Sequence, residues 1–175
     1  MARKRNKFDY DLIVIGSGAG GSAAATIATR NGARVAIIEE DTFGGDSPNW
    51  SDVPTNALLH VAHLYDQARH GAKFGLRSNT LGYNYPSIRS WKDLAVKRTG
   101  AAGNRKFYEN QGIITYTGHA HFLSPNEIAV RRKHISAEKF LIATGSHWVA
   151  PEIPGLNEIP FLTARTILEL SLIHI

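Results

Sequence analysis

Six residues at positions 16–21, Gly-Ser-Gly-Ala-Gly-Gly, constrain this chain more than any other stretch in it. They follow directly on an apolar run, residues 12–15, and lead into an alanine-rich segment, residues 22–30, that stops at Asn31-Gly32. A continuous apolar run of that length fits a strand covered on both faces of a parallel sheet. The alanine-rich segment reads as a helix with a glycine stop, and residues 34–39 read as a second short strand. Strand, glycine turn, helix and strand in close succession form a βαβ unit with a right-handed crossover. The glycines fit G-x-G-x-x-G at Gly16, Gly18 and Gly21. The first permits a tight turn out of the strand, the second lets a pyrophosphate approach the backbone, and the third lets helix and strand pack closely. Unpaired N–H groups and the positive dipole end of the helix then face the phosphates. Glu39 ends the second strand, 23 positions beyond Gly16, where an acid hydrogen-bonds a ribose diol. A dinucleotide site on an α/β fold is the expectation.

The rest of the chain organises around this unit. Residues 41–53 read as a loop with Gly44, Gly45 and Pro48. A helix is expected from about 54 to 70, with Pro54 in its first turn and an apolar stripe of Ala57, Val61, Leu64 and Ala68. A second helix is expected over about 87–109, weakened by Gly100 and Gly103. Beyond it, residues 113–116, 128–131 and 133–136 read as short strands, the last two antiparallel, with a turn at Ser124-Pro125-Asn126. Residues 139–143 form another apolar strand ending in Thr144-Gly145, and residues 150–160 read as a linker.

Composition removes several classes of function. The 175 residues contain no cysteine, which excludes disulfides, zinc–thiolate sites, iron–sulfur clusters and thiol catalysis within them. The net charge of +5 depends on Arg3, Lys4, Arg5 and Lys7. Without these four the balance is 16 basic against 15 acidic residues, so the body lacks the basic composition of a nucleic-acid binder. The short run Arg131-Arg132-Lys133-His134 reads as a solvated hairpin bend. No apolar run approaches the roughly 20 residues of a membrane span, and the N-terminal stretch is broken by Asp9 and Asp11, unlike a secretion signal. A cytoplasmic protein with no membrane or nucleic-acid partner is expected. His60, His63 and His70 fall on one predicted helix without a further ligand, so no metal site is expected.

Four stretches together carry a family resemblance: residues 11–25 around the glycine turn; Val35-Ala-Ile-Ile-Glu-Glu; residues 44–59, Gly-Gly-Asp-Ser-Pro-Asn-Trp-Ser-Asp-Val-Pro-Thr-Asn-Ala-Leu-Leu; and Phe140-Leu-Ile-Ala-Thr-Gly-Ser followed by Ile153-Pro-Gly. In this order they resemble the N-terminal half of the pyridine nucleotide–disulfide oxidoreductases, flavoenzymes such as dihydrolipoamide dehydrogenase, glutathione reductase and mercuric reductase. The resemblance implies a Rossmann-like FAD-binding domain of the glutathione-reductase type, a parallel sheet with helices and a small antiparallel β-meander. It implies FAD on Gly16, Ser17, Gly18, Ala19, Gly20 and Gly21, with the adenosine ribose on Glu39 and Glu40 beside it. Gly45 and Asp46 then approach the pyrophosphate and ribityl chain, Ala120 meets the adenine, and Ala143, Thr144 and Gly145 form a second flavin-contacting turn.

The chain departs from the family at its active loop. The two positions of the redox cysteines hold Ser47 and Asp52, and the family lysine is Asn56. Thiol–disulfide exchange needs a thiolate, so it is excluded in this loop. Electrons would instead pass directly between flavin and a small-molecule acceptor. Asp52 reads first as a cap of the helix that follows, worth roughly 0.5–2 kcal/mol, with a proton relay beside the flavin as the other reading. Ser47 reads as a hydrogen-bonding loop residue, and Trp50 either approaches the flavin or packs. Residues 1–7 read as a basic tail from their charges, and the resemblance implies 8–150 as the FAD-binding domain and 151–170 as the approach to a second domain that binds NAD(P)H, with a dimerisation domain after it. Residues 171–175 do not follow the family pattern and are expected to be foreign. The expectation is therefore a truncated piece of a homodimeric flavin-dependent NAD(P)H oxidoreductase, inactive alone. The alternatives are a non-catalytic flavin-binding module and an NAD-dependent dehydrogenase domain.

Overall fold

The computed structural model describes residues 7–77 and 80–170. Residues 1–6 of the proposed 1–7 tail and the proposed foreign segment at 171–175 lie outside them. In chain order the elements are β1 (Tyr10–Ile15), α1 (Ala19–Arg30), β2 (Val35–Glu39), α2 (Asp46–Trp50), α3 (Asp52–Arg69), α4 (Tyr85–Arg98), α5 (Arg105–Glu109), β3 (Ile114–Thr117), β4 (Ala120–Ser124), β5 (Glu127–Val130), β6 (Lys133–Ile142) and α6 (Ala164–Ile167). The chain divides into two compact units. One holds the residues up to Gly45 together with Gly100–Trp148, and the other holds Asp46–Thr99 and the chain from Val149 onward.

The first unit is built on a six-stranded sheet of order β3-β2-β1-β6-β5-β4. The pairs β3–β2, β2–β1 and β1–β6 are parallel, and β6–β5 and β5–β4 are antiparallel. The predicted strands at 133–136 and 139–143 are therefore one strand. Its first four residues pair with β5, and its later part, from Ala137, runs beside β1 with Ile13 opposite Phe140. The sheet is accordingly a single mixed sheet, with the meander joined to the parallel half through β6. β4 was not expected from the sequence, because His121 and Ser124 interrupt its apolar pattern.

Alternation along β1 and β2 sends side chains to two cores. Val14, Val35 and Ile37 pack with Ala25 of α1, Phe43, Ile113 and Tyr108 of α5. Ile13, Ala36 and Ile38 pack with Ile128, Val130, Ile135 and Ala137 of the antiparallel half. Both faces of β2 are thus covered, as its uninterrupted apolar run requires, and each fully buried aliphatic side chain contributes roughly 1.5–3 kcal/mol. Helices cover one face and the sheet's own antiparallel arm the other.

In the second unit, α3 and α4 pack together. The α4 N-terminus is capped by Asn84, whose side chain accepts the Ser87 N–H at 2.9 Å, and Pro86 sits in the first turn. The helix expected over 87–109 is instead two. α4 stops at Arg98 and α5 begins at Arg105, because Gly100 and Gly103 adopt positive φ of 72° and 59°. Lys92 on α4 is buried, and its ammonium meets the Leu168 carbonyl at 3.1 Å and the carboxylates of Glu169 and Asp93 at 3.0 and 3.1 Å. Three donors find three acceptors, which is what makes a buried lysine tolerable. Among the described residues no helix is long and apolar enough to cross a membrane.

Candidate functional site

The glycine turn is held by contacts that leave no room for side chains. Gly16 donates to the Ile38 carbonyl at 2.8 Å and has φ of 100°. A Cβ on it would lie 2.2 Å from the Ala143 carbonyl oxygen, so the strand end after β6 is pressed against the turn. Ala143 is fixed there by its own N–H, which donates to the Ile15 carbonyl at 2.8 Å. A Cβ on Gly21 would lie 2.0 Å from the Gly16 oxygen, and one on Gly45, at φ of 69°, would lie 2.6 Å from the Gly18 Cα. At Gly18 and Gly20, by contrast, a Cβ would meet nothing within 4 Å. The turn is therefore closed on the protein side and open at Gly18 and Gly20. There the first N–H groups of α1 have no partner within the helix and the dipole is positive.

A buried network fixes the turn from below. The Ser17 hydroxyl donates to Glu39 Oε2 at 2.6 Å and accepts the Gly44 N–H at 3.0 Å, while the Ser17 N–H donates to the same Glu39 oxygen at 2.9 Å. The Ser17 carbonyl accepts the hydroxyls of Ser22 at 2.6 Å and Tyr108 at 3.0 Å. Glu39 Oε1 accepts the Asp41 N–H at 3.0 Å, so three donors from the protein reach the carboxylate and acceptor capacity remains on Oε1. Tyr108 was not found by sequence reading. It lies 91 positions from Ser17, is fully buried, and its phenol is pushed up chiefly by that burial.

The structure brings most of the predicted residues of this unit to one end of the parallel strands. Gly118 donates to the Glu39 carbonyl at 2.8 Å, which sets Ala120, the first residue of β4, close to the end of β2. Glu40 is exposed and lies 3.6 Å from His119 Nε2. Thr144 and Gly145 follow Ala143 and are exposed. The carboxyl ends of parallel strands are where open α/β sheets bind ligands.

Asp46, Ser47 and Asp52 belong to the second unit. Asp46 opens α2 and accepts the Trp50 indole N–H and, at 2.9 Å, the Arg165 guanidinium. The indole hydrogen bond first, and Arg165 after it, hold the Asp46 carboxyl below its ordinary range against a partial desolvation cost. Trp50 is stacked under Arg165 at 3.9 Å. Asp52 is not the residue capping α3 from outside but its first residue, and its carboxylate accepts the Ser47 hydroxyl at 2.7 Å. A negative charge in a first helical turn still favours the helix. The two side chains that the resemblance sets at the redox-cysteine positions therefore touch. Ser47→Cys with Asp52→Cys is expected to form a disulfide on mild oxidation, closing a short loop worth about 2 kcal/mol. Thiol titration of the native double variant checks this, and two persistently free thiols would contradict it. His60, His63 and His70 are all exposed on or just after α3, and among the described residues no three potential ligands converge on a metal position.

The family described as pyridine nucleotide-disulphide oxidoreductase matches residues 10–173 of the chain. The chain belongs to this family. Mercuric reductase of Staphylococcus aureus is 35% identical over 163 residues, covering 93% of this chain and 30% of its own length. Glutathione reductase of Burkholderia cepacia is 36% identical, covering 86% of this chain and 33% of its own. Dihydrolipoyl dehydrogenase of Acholeplasma laidlawii is 33% identical, covering 86% and 45%. Among solved structures, the Cu(II) complex of the HOCl-induced flavoprotein disulfide reductase RclA from Escherichia coli matches with a TM-score of 0.70 at 25% identity, over 91% of this chain and 34% of that one. The chain thus spans about a third to under a half of the length of these relatives. As a member of the pyridine nucleotide-disulphide oxidoreductases it has an α/β fold and no cysteine, so the redox disulfide of the family cannot form within it.

Proposed function

We propose that this chain is the FAD-binding part of a flavin-dependent NAD(P)H oxidoreductase whose electrons pass from the flavin directly to a small-molecule acceptor. One observation carries the reading: the glycine turn is sterically closed at Gly16, Gly21 and Gly45 and open at Gly18 and Gly20. A pyrophosphate fits such a cradle, because the open positions are those where backbone N–H groups begin α1. Ala19 and Gly20 complete that contact, while Ser17 and Gly21, assigned to it from the sequence, are both buried and shape the turn from the protein side instead. Glu39 supplies its remaining acceptor capacity to the ribose, with Glu40 and Ala120 on the adenosine side. Gly45 and Asp46 serve the pyrophosphate and ribityl chain, and Ala143, Thr144 and Gly145 the flavin. When bound, FAD supplies two-electron transfer between a nicotinamide and an acceptor. The chain's own residues bind and orient it.

The same reading makes the sheet a Rossmann-like domain of the glutathione-reductase type over residues 8–150. Residues 151–170 lead toward an NAD(P)H-binding domain of a homodimeric cytoplasmic enzyme. A second reading, a flavin-binding module without turnover, is favoured by the Ser47–Asp52 hydrogen bond, which occupies the family's redox positions with groups that cannot cycle. Titration with FAD, followed by quenching of flavin fluorescence, tests the proposal. Saturable binding is expected. Binding of NAD without FAD would replace it with a dehydrogenase domain. In a longer chain carrying a nicotinamide site, bleaching of bound flavin by NAD(P)H distinguishes the enzyme from the inert module.

A further inference from the structure

β5 and β6 are joined by a two-residue connection, Arg131-Arg132, with Val130 opposite Lys133. Arg131 has φ of 54° and is the only non-glycine residue at positive φ among the described residues. The first central position of such a hairpin is where glycine adopts positive φ freely, and a branched or long side chain does so at a cost. The strain is spent on placing one side chain. The Arg131 stem folds back over Gly118, where a Cβ would lie 3.0 Å from Arg131 Cγ and 3.1 Å from its Nε. A side chain at 118 would crowd that stem, and the φ of 137° at Gly118 is one that L-residues rarely adopt. Gly118 in turn is bonded to the Glu39 carbonyl at 2.8 Å, so the stem of Arg131 is held against the ends of β2 and β3, beside Ala120. Its guanidinium makes no hydrogen bond or ion pair with any described residue, and Glu40, the exposed acid of this corner, is paired with His119 at 3.6 Å instead.

We propose that Arg131 is a binding residue for the adenine ring of the dinucleotide, its guanidinium forming a flat wall against the base. The proposal rests on the dinucleotide reading given above and adds a specificity-determining residue to it. A base suits this corner better than a phosphate. The guanidinium plane is weakly hydrated and stacks on aromatic faces. Glu39 and Glu40 at the same strand end oppose a further anion there, whereas the phosphates already have the start of α1. Strained residues concentrate at ligand sites.

Arg131→Gly separates the two roles of the residue, because relief of strain and loss of the wall have opposite signs. The melting temperature of the ligand-free variant is expected to rise by a few degrees. Its Kd for FAD is expected to rise about tenfold, and its Kd for ADP by a similar factor, while FMN, which lacks the adenosine, binds as it does to the native chain. Arg131→Lys keeps the charge without the plane and is expected to weaken FAD as Arg131→Gly does. An unchanged FAD Kd in Arg131→Gly, an equal weakening of FMN, or full affinity in Arg131→Lys would each overturn the proposal. A native chain that binds ADP but not FAD would defeat the flavin reading alone, since the Arg131 comparison is then read from ADP. A native chain that binds neither defeats both.

Discussion

Gly16→Ala is expected to cost at least about 3 kcal/mol and to abolish dinucleotide binding. The added Cβ would sit 2.2 Å from the Ala143 oxygen and 2.7 Å from its carbon, both backbone atoms, and the φ of 100° is strained for an L-residue. Neither neighbour gives easily, because Ala143 is tied to Ile15 and Gly16 to Ile38. The turn must open or the end of β6 must leave β1. Gly18→Ala is the control. Its φ is −66° and its Cβ meets nothing within 4 Å, so the fold should lose under about 1 kcal/mol at this N-cap position. The added methyl nonetheless occupies the open side of the turn, and FAD affinity is expected to fall. Denaturant unfolding and FAD titration of the two variants side by side check the pair. Equal stability losses in both would show that the contact with Ala143 does not hold the turn.

Glu39→Gln is expected to destabilise the chain by about 2 kcal/mol even without a ligand. Glu39 Oε2 accepts two donors from Ser17, and Oε1 accepts the Asp41 N–H. A glutamine presents one oxygen and one NH2 group, so at least one donor faces another donor in a site where Ser17 is fully buried. The hydrogen bonds that remain also lose the assistance of the negative charge. The same change removes the acceptor proposed for the ribose, so FAD affinity should fall beyond what the stability loss explains. A Glu39→Gln variant with native unfolding and native FAD affinity would show that the carboxylate serves neither purpose.

The sequence identified Glu39 by its distance from Gly16 and assigned it outward, to a ligand. The structure gives it an inward role as well, toward Ser17. Spacing reports that an acid stands at a strand end, but not how its two oxygens are shared. Tyr108 shows the same limit more sharply. Nothing local distinguishes it from other tyrosines, yet its hydroxyl closes the network on Ser17 and Ser22. Asp52 was read as a cap because it stands just before Pro54. It instead begins α3 and turns toward Ser47, five residues earlier. The helix expected over 87–109 divides at Gly100 and Gly103, the glycines already read as its weak point, because their backbone leaves the helical region altogether.

What the sequence by itself determined is local. The apolar run, the glycines and the alanine-rich helix act within one βαβ unit, and their order alone specifies strand, turn and helix. The absence of cysteine is likewise a fact of composition that no fold can alter. The tertiary structure decided everything that depends on partners distant along the chain. It joined residues 133–142 into one strand that pairs with β5 by one end and with β1 by the other. It set Ala143 against Gly16, Tyr108 against Ser17 and Arg131 against Gly118. Hydrogen bonds and steric contacts act over a few ångströms in space whatever the separation in sequence, so such pairs leave no periodic trace from which they could be read.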